Sequence, residues 1–257
     1  MNKEKLQTLF DMTGRTVIVT GGTRGIGRAL AEGYVSAGAR VIVASRNREA
    51  CQEAEEHLRS MGGEAIGVPA HMGRLEDLAE LVRRAVETFG GIDVLVNNAA
   101  TAVAQTVGGY TPEAWQKSLD VNLRGPVFLT QEALPYLKAS HHGAVLNMLS
   151  GAAFMYSSRV SMYAVGKAGL LAHTRSAAAE YAQYGIRVNA IAPGTTDTDM
   201  VRATTPEAQQ QMAEIMLLKR MAHPDELFGS ALLLTSDAGS FITGQVIIVD
   251  GGMVVSR

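Results

Sequence analysis

Tyr163 and Lys167 stand four residues apart in Tyr163-Ala-Val-Gly-Lys167, so on a helix they share one face. A phenol with an ammonium beside it can do acid–base chemistry. A free phenol titrates near ~10, too high for easy proton exchange at neutral pH, and a neighbouring positive charge favours the phenolate. Each unit of such a shift corresponds to about 1.4 kcal/mol. Tyr163 is then a usable general acid in one direction and a general base in the other. Ser150 closes an apolar run upstream, where its hydroxyl can donate to a substrate oxygen as negative charge develops. Asn122, in Val121-Asn-Leu123, completes the candidate catalytic set. A Tyr-x-x-x-Lys by itself is more often an ordinary helix pair; the order and spacing of the other motifs give it weight.

One of those motifs lies near the N-terminus, in Thr20-Gly-Gly-Thr-Arg-Gly-Ile-Gly27. Gly21, Gly25 and Gly27 follow an apolar strand-like run and open a helical stretch. Glycine lets a backbone approach a pyrophosphate closely, and the start of a helix offers free N–H donors and positive potential. Together with Thr23, Arg24 and Ile26 these glycines form the expected phosphate turn of a dinucleotide. The spacing is G-x-x-x-G-x-G, not the G-x-G-x-x-G of most dinucleotide folds. After the second strand an NAD site carries an acid for the ribose hydroxyls. Here that edge reads Ala44-Ser45-Arg46-Asn47, without an acid. Arg24 and Arg46 can each grip a 2′-phosphate through a guanidinium fork. At roughly 1.5–3 kcal/mol for a charge-assisted hydrogen bond, this favours NADP(H) over NAD(H) by about tenfold to several hundredfold. NAD(H) stays open as a second cofactor. A phosphate turn with a phenol–ammonium pair implies hydride transfer from a nicotinamide to a carbonyl. The charge of the oxidised nicotinamide would add to that of Lys167 in favouring the phenolate.

The elements that must position these residues alternate along the chain. Apolar runs at Val17–Thr20, Arg40–Ala44, Ala65–Val68, Asp93–Val96, Ala144–Met148, Ile186–Ile191 and Val246–Val249 read as strands. Helical patterns at Gly27–Ala37, Asn47–Met61, Leu75–Phe89, about Pro112 to Ser140, and Met162–Tyr184 separate them. Runs of four to six apolar residues alternating with helices imply strands buried on both faces, hence a parallel sheet. Right-handed crossovers place helices on both sides. The prediction is a single α/β domain over residues 1–257, a doubly wound, Rossmann-like parallel sheet of seven strands. Ligands of such a sheet bind beyond its C-terminal strand edges. The irregular stretch of about 195–224 follows a strand and is a candidate substrate lid. Met155, Met200, Met212 and Met216 fall near the site or lid, where adaptable apolar side chains suit an apolar substrate or serve ordinary packing. Trp115 reads as a helix-packing anchor.

Composition removes several other classes. The chain has 257 residues, 47% of them hydrophobic, enough for one large core. A net charge of -2 gives no surface for nucleic acid or another polyanion. Cys51 is the only cysteine, which forbids an intramolecular disulfide and suits a reducing compartment. The polar start Met1-Asn-Lys-Glu-Lys offers no signal peptide, and no run of about 18 apolar residues offers a membrane span. A cytoplasmic location is expected. His141 and His142 are adjacent, precede a strand and lack thiolate or carboxylate partners nearby, so they read as a solvated loop and no metal is expected.

These residues resemble the short-chain dehydrogenase/reductase family in its single-domain branch. The resemblance runs from about Thr13 to Gly252, with the motifs in family order. Thr20–Gly27 is similar to the cofactor turn, Asn97-Asn-Ala-Ala100 to the Asn-Asn-Ala-Gly motif, and Asn122, Ser150, Tyr163 and Lys167 to the catalytic tetrad. Pro193-Gly194 with Thr198 is similar to the stretch bordering the nicotinamide. The resemblance implies that Tyr163 transfers the proton, Lys167 holds the nicotinamide ribose, Ser150 orients the carbonyl, and Asn122 supports a water relaying protons through Lys167. It further implies that Asn98 and Ala99 line the cofactor, that Thr196 and Thr198 lie near the carboxamide, and that the strand order is 3-2-1-4-5-6-7 in a homotetramer.

Two positions depart from the family pattern. Ala100 replaces a glycine, and one methyl could tighten the nicotinamide pocket or shift the backbone. His71, followed by Met72 and Gly73, stands where an aspartate commonly accepts from the adenine amine; a neutral imidazole can still accept one hydrogen bond. A His-Val-Gly version occurs in some NADPH-dependent carbonyl/retinal reductases. The function implied is NADP(H)-dependent reduction of a ketone or aldehyde, reversible to alcohol oxidation. The alternatives are an NAD(H)-preferring secondary-alcohol dehydrogenase and a non-enzymatic NADP(H)-sensing module. A nucleotide-sugar epimerase would need a further C-terminal domain, and in enoyl reductases of related fold the tyrosine and lysine lie further apart.

Overall fold

Runs rich in Val and Ile lie as strands at the centre of this chain because both of their faces are covered. The computed structural model describes residues 2–158 and 160–254. In chain order the elements are α1 (Lys3–Thr8), β1 (Thr16–Thr20), α2 (Gly25–Ser36), β2 (Arg40–Ser45), α3 (Arg48–Ser60), β3 (Ala65–Pro69), α4 (Leu75–Phe89) and β4 (Val94–Asn97). There follow α5 (Pro112–Leu119), α6 (Gly125–Ala139), β5 (Ala144–Met148), α7 (Ser161–Tyr181), β6 (Arg187–Pro193), α8 (Asp199–Arg202), α9 (Pro206–Ile215), α10 (Phe228–Thr235) and β7 (Val246–Val249). The strands form one parallel sheet in the order β3-β2-β1-β4-β5-β6-β7. Every residue of β1, β4 and β5 is buried, which leaves no room for the alternating polar pattern of a half-exposed strand. Successive side chains of β1 enter opposite cores. Val17 and Val19 pack with Leu30, Tyr34 and Leu234 on one face, and Ile18 with Leu78, Leu81 and Leu129 on the other. Each such side chain contributes about 1.5–3 kcal/mol on burial.

The strand order reverses between β1 and β4, and the crevice beyond their C-terminal ends is where such a sheet binds ligands. Among the described residues no helix is long and apolar enough to cross a membrane.

The helical region between Pro112 and Ser140 is not one helix. Between α5 and α6 the residues Asp120–Arg124 form a π-helical turn, closed by the N–H of Gly125 donating to Asp120 O. Pro126 follows, and it has no N–H to offer the Asn122 carbonyl one turn back. Gly125 fits there because a Cβ would overlap Met72 O. An insertion of this kind often marks a functional position, and this one holds Asn122.

Candidate active site

The glycine turn after β1 is fixed by one hydroxyl. Thr20, at the end of β1, donates to Val96 O (3.2 Å) and accepts from the N–H groups of Asn98 (2.9 Å) and Ala99 (3.0 Å). The Asn98 amide returns the contact, donating to Thr20 O (2.8 Å) and Gly21 O (3.2 Å). The ends of β1 and β4 are thereby locked together. Gly21 and Gly25 adopt φ of 64° and 53°, and a Cβ on Gly27 would overlap both Gly21 O and the Asn98 amide. Only glycine allows α2 to start this close to the strand. Arg24 occupies the cap position of α2 without a side-chain cap, so the first N–H groups face outward. This arrangement fits a pyrophosphate. Thr23 and Ile26 lie in the same turn, and Ile26 packs its side chain against the core. Ala100 is a conservative departure: among the described non-glycine residues only Lys219 has a left-handed backbone, so the extra methyl causes no backbone strain.

Beyond β2 and β3 lies an open cavity of about 470 Å³ lined by Arg46, Arg48, Arg74, His71 and Asp77. Arg46 is where the sequence places a phosphate ligand, but Arg24 is not with it. Its guanidinium lies 3.8 Å from Asp199 at the start of α8, across the phosphate turn. Arg48 and Arg74 are the residues that sequence reasoning missed. The register pairing Ser45 with Pro69 puts the loops after β2 and β3 side by side, so arginines far apart in sequence converge. Asp77 is the one acid of the lining, and its Oδ2 accepts from the His71 N–H (2.8 Å).

His71 also departs from expectation. Its Nδ1 accepts from the Gly73 N–H at 3.0 Å. A neutral ring then carries its proton on Nε2, so it presents a donor, not an acceptor, to a ligand. The imidazole cannot replace an aspartate in accepting from an adenine amine. Met72 has its side chain in the core, which leaves only its backbone for a cofactor. Ser45 is half-buried beside the cavity, its carbonyl accepting from Ala70 N–H (2.8 Å).

The catalytic candidates converge at the C-terminal ends of β4 and β5. Ser150 follows β5 and caps a short 3-10 turn, its Oγ accepting from Ala152 N–H at 3.2 Å. Tyr163 and Lys167 lie on the first turns of α7. Lys167 is 2% exposed, and its Nζ donates to Met148 O at 2.6 Å, two residues before Ser150. The same ammonium lies 5.6 Å from the centre of the Tyr163 ring. Asn122 is fully buried: its amide donates to Thr101 O (2.8 Å) and its Oδ1 accepts from Thr101 N–H (3.0 Å). A Cβ on Gly166 would meet the Asn122 Cβ at 2.9 Å, so α7 and the π-helical turn touch beside Lys167.

The electrostatics differ from the simple expectation of an ammonium-activated phenol. Burial pushes the Tyr163 phenol above its ordinary value, and the nearby Ser150 hydroxyl only partly opposes this. Burial also draws the Lys167 ammonium down to about 8. Without a bound dinucleotide the phenol therefore holds its proton, because desolvation outweighs the Ser150 hydrogen bond that favours the phenolate.

A loop and two helices close the other side of the cleft. Pro193 ends β6, and Gly194 fits against Asp250, whose Cα a Cβ there would meet at 2.7 Å. Thr196 is buried and donates to Gly194 O (3.2 Å), which shapes the loop. Thr198 caps α8 and lies over Gly25, its Cγ2 3.1 Å from where a Cβ would stand. Met200 in α8 is exposed, as is Met155 after Ser150, whereas Met216 is buried and packs beside Gly251.

The family model described as "Enoyl-(Acyl carrier protein) reductase" matches residues 21–254. The chain belongs to the short-chain dehydrogenase/reductase family. It is 35% identical over 244 residues to "Dehydrogenase/reductase SDR family member 4" of Homo sapiens, covering 94% of this chain and 88% of that protein. It is 36% identical over 249 residues to "L-rhamnose 1-dehydrogenase (NAD(P)(+))" of Azotobacter vinelandii, covering 94% and 97%. Among solved structures, a short-chain type dehydrogenase/reductase from Mycobacterium marinum superimposes with a TM-score of 0.92 at 30% identity, covering 96% and 98% of the two chains. The chain is accordingly an NAD(P)-dependent oxidoreductase of this family.

Proposed function

We propose that the chain acts as one cofactor-binding and catalytic unit that reduces a ketone or aldehyde to an alcohol with NADP(H), reversibly. The observation that carries the reading is the convergence of Ser150, Tyr163 and Lys167, with the Lys167 ammonium tied to Met148 O at the strand end that leads into Ser150. When bound, the reduced nicotinamide supplies a hydride to the carbonyl carbon. Tyr163, kept protonated by burial, gives its proton to the substrate oxygen as negative charge develops there. The Ser150 hydroxyl donates to the same oxygen. Lys167 holds the nicotinamide ribose and places positive charge beside the phenolate that remains. The Asn122 carbonyl, without a partner from Pro126, holds a water through which Lys167 returns the proton. In alcohol oxidation Tyr163 runs the same transfer backwards as a base.

The cavity at Arg46, Arg48 and Arg74 supports NADP(H) over NAD(H), since three guanidinium groups there meet a single acid already engaged by a backbone N–H. His71 fits this reading as a donor. The apolar Met155, Met200 and Leu217 on the substrate side suit a weakly polar ketone and disfavour a highly phosphorylated substrate. Homotetrameric assembly in the cytoplasm belongs to the same proposal, and sedimentation of the purified protein measures the assembly.

The test is oxidation of NADPH and of NADH by purified protein over diketones, 3-oxoacyl thioesters, ketosteroids, retinal and sugar ketones, with Tyr163→Phe as control. Turnover that prefers NADPH and collapses in the variant is the expected result. NADPH binding with no turnover on any carbonyl would favour a sensing module instead.

A further inference from the structure

After β7 residues 250–254 turn back toward Ser150. The Asp250 carboxylate is buried and accepts from the N–H groups of Gly252 (2.8 Å) and Val254 (2.6 Å). Gly251 and Gly252 have φ of 61° and 87°, a left-handed pair that a side chain at either position would strain. The turn rests on the end of the lid: Leu218 N–H donates to Gly251 O at 3.0 Å, and a Cβ on Gly252 would meet the Leu217 side chain at 2.7 Å. On its other side the tail meets Gly151, the residue after Ser150. A Cβ on Gly151 would overlap the Met253 methyl and lie 3.4 Å from Val254 Cγ2. The space that Gly151 leaves beside Ser150 is filled by Met253.

We propose that Met253 is a specificity-determining residue, its side chain forming a wall of the substrate pocket beside Ser150 and limiting the size of the ketone admitted. The proposal rests on the carbonyl-reductase reading above. Asp250 is the positioning residue, since its carboxylate clamps the segment that carries Met253. A thioether on a flexible stem makes an adaptable wall, which suits apolar substrates of varied shape.

The experiment compares kcat/KM for a small alkyl ketone and a bulky aryl ketone in the wild type, Met253→Ala, Met253→Trp and Met253→Leu. The ratio of bulky to small should rise about tenfold or more in Met253→Ala, fall by a similar factor in Met253→Trp, and stay near wild type in the volume-conserving Met253→Leu. Ratios that stay within about twofold of wild type in both the Ala and Trp variants, with turnover intact, overturn the proposal, that window lying below the ~10-fold effect of one methylene. A second readout does not need turnover: the 13C-methyl resonance of Met253, assigned through Met253→Leu, followed while NADP+ and the aryl ketone are added. A shift specific to the ketone supports the wall; a methyl that stays in place at saturating ketone removes it. If neither ketone turns over with either cofactor, the reductase reading fails, and the resonance decides the placement of Met253 alone.

Discussion

The proposed dinucleotide side and the proposed substrate side share one sheet edge but are built differently. On the dinucleotide side backbone meets backbone: Thr20 Oγ1 joins the ends of β1 and β4, and Gly21, Gly25 and Gly27 pack where no side chain fits. On the substrate side flexible side chains stand in water. Leu217 and Leu218 are each 64% exposed and Met200 54%. They are carried by the four-residue α8 and by the stretch that follows α9, with no strand to hold them. A cofactor of constant shape can be read by fixed peptide groups. A substrate surface made of Met and Leu can change its occupant without disturbing the sheet.

The largest expected contrast lies at the chemistry itself. Tyr163→Phe should lower kcat for carbonyl reduction by about 10²–10⁴-fold while leaving the NADPH dissociation constant nearly unchanged, as fluorescence titration would show. A parallel loss of NADPH binding would mean that the phenol serves the dinucleotide side instead.

The next largest separates the two sides directly. Gly27→Ala forces a methyl onto Gly21 O and the pinned Asn98 amide, neither of which can move away. Overpacking of this kind costs about 1–3 kcal/mol, visible in the urea midpoint, and NADPH binding should weaken with it. Leu217→Ala, on the substrate side, should shift the KM for a ketone by a few-fold and leave NADPH binding alone. Equal effects of the two substitutions on NADPH would break the comparison.

A more modest effect is expected at the far end of the dinucleotide. Arg46→Ala, Arg48→Ala and Arg74→Ala should each weaken 2′-AMP relative to 5′-AMP by about tenfold, the low end of the roughly 1.5–3 kcal/mol of a charge-assisted hydrogen bond, because the cavity is open to water. Calorimetry with the two nucleotides reads this without turnover. Arg24→Ala, beside Asp199 and outside that cavity, should change the ratio least.

An effect of similar size is expected on stability against pH. Burial holds Lys167 at about 8, below its ordinary 10.5. Between these values the unfolded chain binds more proton than the folded one, so this group makes stability rise with pH, by up to about 1.4 kcal/mol per pH unit. Tyr163 and Tyr34, both raised by burial, act oppositely as the pH passes the ordinary phenol value of 10.0, and the Cys51 thiol, also raised by burial, does so as the pH passes 9.0. Urea midpoints of the ligand-free protein and of Lys167→Met at pH 8 and 9.5 should differ in slope by the Lys167 contribution, the variant rising less or falling more, since the opposing Cys51 contribution is common to both.

The seven strands were legible in sequence because a parallel sheet buried on both faces tolerates only apolar runs, and each run lies within a few residues. Tyr163 and Lys167 were legible as a pair for a similar reason, since helical geometry alone puts residues four apart on one face. The arginine cavity was half legible. Arg46 follows β2 directly, but Arg48 and Arg74 count as partners only once the pairing of Ser45 with Pro69 sets two loops side by side. The break at Asp120–Arg124 left a local trace in Gly125-Pro126, although a helical pattern on both sides concealed it. The donor role of His71 depends on a backbone N–H two residues away, and the raised phenol of Tyr163 on how deeply α7 seats. By itself the sequence determined the order of elements, the phosphate turn and the chemical types at the site, because these depend on neighbours along the chain. Only the tertiary structure decided which arginines converge, what protonation the site favours and how Met253 returns to Gly151, because register, burial and packing join residues that the chain keeps far apart.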